Sequence, residues 1–165
     1  MKTSKRDVLI IVIIAIIALS GFLIFNQIFK NANSSKAVVQ YWYTNDNGFN
    51  KTEDLVEVDF VNKKVKKLNE QSHVPGEYGK YPIINEEEQL ITVLGEFINE
   101  ETNKRVELVI KYDFNEKSMQ IVKEESPRNI CSKAGISFGK PLICIPNQVK
   151  VIFVTTEEDV DGVIQ

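Results

Sequence analysis

The chain has little of what most catalytic sites are built from. Its 165 residues include one histidine, His73, and two cysteines, Cys131 and Cys144. A Ser-His-Asp or Cys-His centre would have to use His73, and no recognisable nucleophile motif accompanies it. Two cysteines 13 positions apart, with one remote histidine, do not compose a zinc ligand set. No G-x-G-x-x-G, Walker-type loop or G-x-S-x-G occurs. "NDNGFNKTED", residues 45–54, is rich in oxygen ligands but lacks EF-hand spacing and reads as a surface hairpin loop. No catalytic residue, metal or cofactor is therefore assigned. The chain also lacks internal repeats, and no long amphipathic helix is visible after residue 30.

What is present is unevenly distributed. Hydrophobic residues make up 43% and charged residues 26%, which suits a globular domain. "VLIIVIIAIIALSGFLIF", Val8 to Phe25, has no charge. As a helix this run reaches about 27 Å, near the ~30 Å thickness of a hydrocarbon core. Lys2, Lys5 and Arg6 precede it, so the positive-inside rule keeps residues 1–7 in the cytoplasm. The run is longer than a signal-peptide core of about 7–15 residues, and "NQIFKNANSSKA" offers no clean small-x-small cleavage site. The expectation is an uncleaved signal anchor, a transmembrane helix over residues 8–29, with residues 30–37 as linker. A domain at 38–165 would then face the outside of a bacterial cell membrane.

Charge follows the same division. Residues 1–30 carry Lys2, Lys5, Arg6 and Lys30 against Asp7, a net of +3, which leaves 16 basic and 22 acidic groups, a net of −6, for the rest. An acidic exterior does not attract phosphate backbones, so no nucleic-acid partner is expected. "KKVKK", Lys63 to Lys67, is the one dense basic patch, and reads as protection of an edge strand. "EEE", Glu86 to Glu88, reads as a solvated face.

Beyond the linker the hydrophobic period is two. In "RVELVIKYDF", Val106, Leu108, Ile110, Tyr112 and Phe114 share one face of a strand. "DLVEVDF" repeats the alternation with Val56, Val58 and Phe60. "FNEKSMQIV" turns at Asn115–Glu116, "INEETNK" separates two apolar runs, and Pro146–Asn147 divides "PLIC" from "VKVIFV". The predicted fold class is mainly β, a small barrel or sandwich preceded by a single N-terminal membrane helix. Trp42, in "VVQYWY", is assigned to core packing. Residues 69–88 form the longest irregular segment, broken by Pro75, Gly76, Gly79 and Pro82, and are a candidate binding loop.

The two cysteines admit three readings. Outside the cell they meet an oxidising medium, where a disulfide would stabilise by roughly 3 kcal/mol through loop-closure entropy. They are otherwise two packed thiols or a redox-active pair, although no C-x-x-C motif is present.

"SPRNICSKAGISFGKPLICIPNQVKVIF", residues 126–153, resembles the signature of NusG domain II-like proteins. Pro127, Cys131, Gly135, Ile136, Gly139, Ile143, Cys144, Pro146 and Asn147 fall in step with it. The family's first cysteine falls on Ser126, so only Cys131 and Cys144 remain as a pair. The resemblance implies a compact, barrel-like β domain behind one membrane helix. Some relatives are linked with flavin- and quinone-based electron export at the bacterial surface. The sequence-level expectation is a membrane-anchored, non-enzymatic binding or assembly module with a protein partner at the cell surface, in the setting of electron transfer or transport. A thiol–disulfide role for Cys131 and Cys144 is the alternative.

Overall fold

Alternation becomes strand wherever it runs. The structure, a computed structural model, describes residues 10–21, 34–44, 48, 50–71 and 80–155. Residues 10–21 form helix α1, with exposed side chains throughout, and the rest of the expected 8–29 span lies outside the described residues. Among the described residues no helix is long and apolar enough to cross a membrane. The chain divides into two units, Met1–Ala32 and Asn33–Gln165.

The second unit is mainly β. Its strands are β1 (Ser34–Thr44), β2 (Asn50–Asp59), β3 (Lys64–Lys67), β4 (Ile83–Asn85), β5 (Leu90–Asn99), β6 (Lys104–Asp113), β7 (Ser118–Lys123), β8 (Leu142–Cys144) and β9 (Val149–Thr155). A 3-10 turn (Pro127–Asn129) and the single-turn helix α2 (Ile130–Lys133) link β7 to β8. One sheet has the order β3-β2-β1-β9-β8 and the other β4-β5-β6-β7, with every named pairing antiparallel. Both sheets feed one core. Val39, Tyr41, Val58 and Val151 from the first meet Ile91, Leu108, Ile110, Tyr112 and Met119 from the second. Each such fully buried side chain contributes about 1.5–3 kcal/mol of transfer free energy.

β1 begins at Ser34, inside the segment read as linker. Its first residues are anchored rather than free: Ser34 and Ser35 are buried, Ser35 Oγ donates to the Val154 carbonyl at 3.2 Å, and Phe60 N donates to the Ser35 carbonyl at 2.9 Å. A bulge between Val39 and Gln40 leaves Leu55 unpaired. Leu55 and Val56 are therefore buried side by side, against strict alternation. β3 is an edge strand: Val65 packs on the core, while Lys64, Lys66 and Lys67 face solvent.

Four hairpin turns share one device. Asp59, Asn85, Asn99 and Asp113 each open a turn, and the residue four positions later (Lys63, Gln89, Asn103 or Lys117) has a positive φ of 50–56°. The opening side chain accepts backbone N–H groups two or three residues on. Asp59 Oδ1 accepts from Val61 at 3.0 Å and Asn62 at 2.8 Å, and Asp113 Oδ1 from Asn115 at 2.8 Å and Glu116 at 3.0 Å. Asn99 and Asn85 accept in the same way. These short acceptors supply the turn's missing bonds, and so fix strand register. The turn between β8 and β9 also ends on a positive φ, at Gln148, but Cys144 occupies its opening position.

Of the expected binding loop 69–88, residues 72–79, including His73, lie outside the described residues. The loop's ends are tied down. Gln71 is buried, and its amide pairs with β5 like a strand residue: Nε2 donates to the Leu94 carbonyl and Oε1 accepts from Leu94 N, each at 2.9 Å. Tyr81 is buried and donates to Glu107 Oε1 at 2.7 Å. Burial and that neighbouring carboxylate push its hydroxyl up to about 12.

Candidate functional site

The segment between β7 and β9 carries both sulfurs. Cys131 lies in α2, which Gly135 terminates with φ +78°, a backbone conformation in which a side chain would be strained. Cys144 ends β8 and points inward. The two form a disulfide with Cα atoms 5.3 Å apart, and they are 5% and 0% exposed.

A polar cluster surrounds this disulfide. Glu124, only 6% exposed, places Oε2 3.4 Å from Cys144 Sγ. Its Oε1 accepts the backbone N–H of Ser132 at 2.9 Å, and its Oε2 accepts from the Ser126 hydroxyl. A disulfide sulfur has no proton to donate, so the Glu124–Cys144 contact becomes an S–H···O bond only when the pair is reduced. On the other side, Asn147 is fully buried and its Nδ2 donates to Cys144 Sγ at 3.3 Å.

Asn147 also joins this segment to the opposite sheet. Its carbonyl accepts from Glu96 N at 3.2 Å, within the irregular stretch of β5 between Leu94 and Ile98. Gly95 faces it there. A Cβ at Gly95 would lie 2.1 Å from Asn147 Oδ1 and 2.8 Å from Asn147 Cβ. Asn147 thus occupies the space a side chain would take on β5, and the β8–β9 turn is held between the disulfide and the second sheet.

The expected signature residues have different fates. Cys131, Cys144 and Asn147 converge. Pro127 opens the 3-10 turn, Gly135 ends α2, Gly139 lies in the bend before β8, and Pro146 is exposed in the β8–β9 turn. Ile136 is exposed, as are Ile130, Ile143 and Ile145, at 56%, 60%, 58% and 73%. Ile136 and Phe138 border a cleft of about 210 Å³ on the β6–β7 hairpin, beside Lys111, Glu116 and Gln120. Trp42, expected in the core, is only half-buried, whereas Tyr41 beside it is fully buried.

Glu124, Ser126 and Gly95 were not assigned to the site from the sequence. Glu124 sits in "KEES", which has the look of solvated charge, and no spacing rule ties it to a sulfur 20 residues away. Ser126 stands where the resembling family has its first cysteine, and nothing in the sequence ties its hydroxyl to Glu124.

A second polar cluster crosses the sheets. The Tyr41 hydroxyl donates to Glu96 Oε1, and Arg105 Nη2 lies 3.0 Å from Glu96 Oε2. A cleft of about 290 Å³ lies beside it, lined by Tyr43, Thr44 and Gln148 together with Glu96 and Arg105. The ion pair fastens the irregular stretch of β5 to β6.

No protein-family model, no curated protein and no solved structure matches the chain.

Proposed function

We propose that the chain is a NusG domain II-like protein of the bacterial cell membrane, tethered by residues 8–29 with its N-terminus cytoplasmic and its β unit outside. The β unit acts as a non-enzymatic binding or assembly module for a protein partner beside a surface electron-transfer or transport complex. The observation that carries this reading is the apolar surface of the disulfide-closed segment. Ile130, Ile136, Ile143 and Ile145 are each more than half exposed within 16 consecutive residues. Scattered exposed isoleucines are ordinary, but four on one short segment held by a cross-link are what an apolar interaction surface would draw on. Burial of such side chains at an interface excludes water without the entropy cost of ordering a loose loop. The test is crosslinking and capture of the full-length chain from membranes, beside an Ile143→Asp/Ile145→Asp variant of unchanged Tm. A partner held by the wild type and lost by the variant supports the reading. Equal capture by both, or no reproducible partner, removes it.

One observation favours a second reading, thiol–disulfide exchange at Cys131 and Cys144: the Glu124 carboxyl against Cys144 Sγ. A thiolate from a dithiol partner that attacks Cys131 forms a mixed disulfide and releases Cys144 as a thiolate beside the Glu124 carboxyl and the Asn147 amide, and the partner's second thiolate then displaces Cys131. On this reading Cys131→Ser abolishes exchange with a dithiol while the fold survives. A variant that only melts at lower temperature assigns the pair to stability.

A further inference from the structure

We infer that Glu124, Cys131 and Cys144 form a redox-gated site for a thiophilic divalent cation, closed by the disulfide and opened by its reduction. This goes beyond both readings above and depends on neither the anchor nor the partner. One ligand atom from each residue lies within 4.8 Å of the others, and all three residues are buried. The expectation that two cysteines and a remote histidine make no ligand set did not include Glu124.

Reduction frees the two sulfur ligands. A dithiol reductant passes two electrons and two protons to the S–S bond, giving two thiols and its own disulfide. The two thiols then sit against a carboxyl in a core where Cys144 is 0% and Glu124 6% exposed. A divalent cation that displaces the two thiol protons leaves the net charge of the site unchanged, but puts one positive centre in direct contact with both sulfurs and the carboxyl, which already lie within 4.8 Å of one another. Two sulfurs and one oxygen favour Zn²⁺ over Mg²⁺ or Ca²⁺.

Geometry and outer hydrogen bonds fit. Zn–S distances of about 2.3 Å in a tetrahedron set the sulfurs about 3.8 Å apart. Only reduction, which breaks the S–S bond, lets the two sulfurs part to that distance. Glu124 already presents Oε2 to Cys144 Sγ while Ser132 N holds its other oxygen. Asn147 Nδ2 donates to the same sulfur, so a thiolate there is met by an N–H group. Such outer-shell donors orient metal ligands. The fourth position falls to water or to the Ser126 hydroxyl, which bonds to Glu124 Oε2.

The test is Co²⁺ titration, with Zn²⁺ back-titration, of the full-length chain in detergent. The protein is reduced with a water-soluble phosphine, which is then removed by gel filtration without oxygen. The expected result is one Co²⁺ per chain with a thiolate-to-cobalt absorption band, displaced by Zn²⁺ and absent from the oxidised chain. Cys131→Ser abolishes the band, and Glu124→Gln weakens uptake by about tenfold or more. Zn²⁺ also raises the Tm of the reduced chain and not of the oxidised one. No stoichiometric uptake by the reduced chain overturns the proposal, as does Glu124→Gln uptake equal to wild type. A reduced chain that unfolds, and whose β signal Zn²⁺ does not restore, overturns it too.

Discussion

Gly95→Ala tests how the disulfide segment is joined to the second sheet. The added Cβ meets Asn147 Oδ1 at 2.1 Å, Cγ at 2.6 Å and Cβ at 2.8 Å. The last of these is not the end of a flexible side chain, and Asn147 is fully buried, so a rotamer change does not relieve the contact. The β8–β9 turn must withdraw from β5. Withdrawal strains or breaks the bond from Glu96 N to the Asn147 carbonyl and the bond from Asn147 Nδ2 to Cys144 Sγ. Overpacking of a filled site costs about 1–3 kcal/mol, and each lost hydrogen bond about 1 kcal/mol. The terms overlap, so about 3 kcal/mol is expected, a Tm drop of roughly 10 °C for a domain of this size. Thermal unfolding by circular dichroism, with the disulfide intact, measures it. In an Asn147→Gly background the obstruction is gone, and Gly95→Ala is expected to cost less than about 1 kcal/mol. The reasoning fails if Gly95→Ala melts within about 0.5 kcal/mol of wild type, or costs the same in both backgrounds.

Replacing Cys131 and Cys144 together with serine should lower stability by about 3 kcal/mol in oxidising buffer, and the gap should vanish when wild type is compared under reducing conditions. Gly135→Ala meets no atom within 4 Å, so only the strain of φ +78° remains, and a loss of about 1 kcal/mol is expected in denaturant unfolding. Tyr81, with its hydroxyl at about 12 against an ordinary 10.0, should contribute stability that is complete below pH 10 and lost as pH rises toward 12. The sign is that of a raised value, since the folded state holds its proton longer; tyrosinate absorbance in wild type against Tyr81→Phe reads it, and loss of the transition at 10.0 alone is the contrary outcome. For Asp59, hydrogen bonds from the backbone and side chain of Asn62 hold the carboxyl below its ordinary 3.8. Its contribution is present above that value and fades as pH falls through the folded one, and screening by solvent keeps it small. Acid unfolding of Asp59→Ala should therefore converge with wild type at low pH.

The strands were legible because one face of each is buried. Val106, Leu108, Ile110 and Tyr112 alternate on β6 as their spacing demands, and the Lys64–Lys67 strand stands at a sheet edge, where its charges are useful. The hairpin turns were legible only in part: the opening Asp59, Asn85, Asn99 and Asp113 are turn formers by type, but nothing in the side chains of Lys63, Gln89 or Lys117 announces the left-handed conformation that closes each turn. Trp42 shows where aromatic character misled and alternation would have served, because its neighbours Tyr41 and Tyr43 take the inward face and leave the indole half-buried. Glu124 was illegible for a different reason. A charged residue earns its meaning from what packs on it, and the partners of Glu124 lie on α2 and β8, brought back only by the turn that follows β7. Gly95 is similar, since an inward glycine in a strand marks a close approach without saying from where.

The disulfide's surroundings are not those a purely structural cross-link needs. Loop closure depends on the covalent bond and is indifferent to the chemistry around it. Apolar side chains packed around buried sulfurs would supply dispersion at no desolvation cost, and burying a carboxyl is unfavourable unless its bonds repay it. Glu124 recovers part of that cost through Ser132 N and Ser126 Oγ, but these bonds fix the carboxyl in place and leave Oε2 against Cys144. Asn147 is placed through its backbone, whose carbonyl accepts from Glu96 N, and its side-chain amide donates to the same sulfur. Two independently anchored polar groups thus converge on Cys144, one from the end of β7 and one from the β8–β9 turn. Stability alone explains the covalent bond and the glycine opposite Asn147. It does not explain a donor and a carboxyl directed at one sulfur, and that arrangement is what a reduced Cys144 would use.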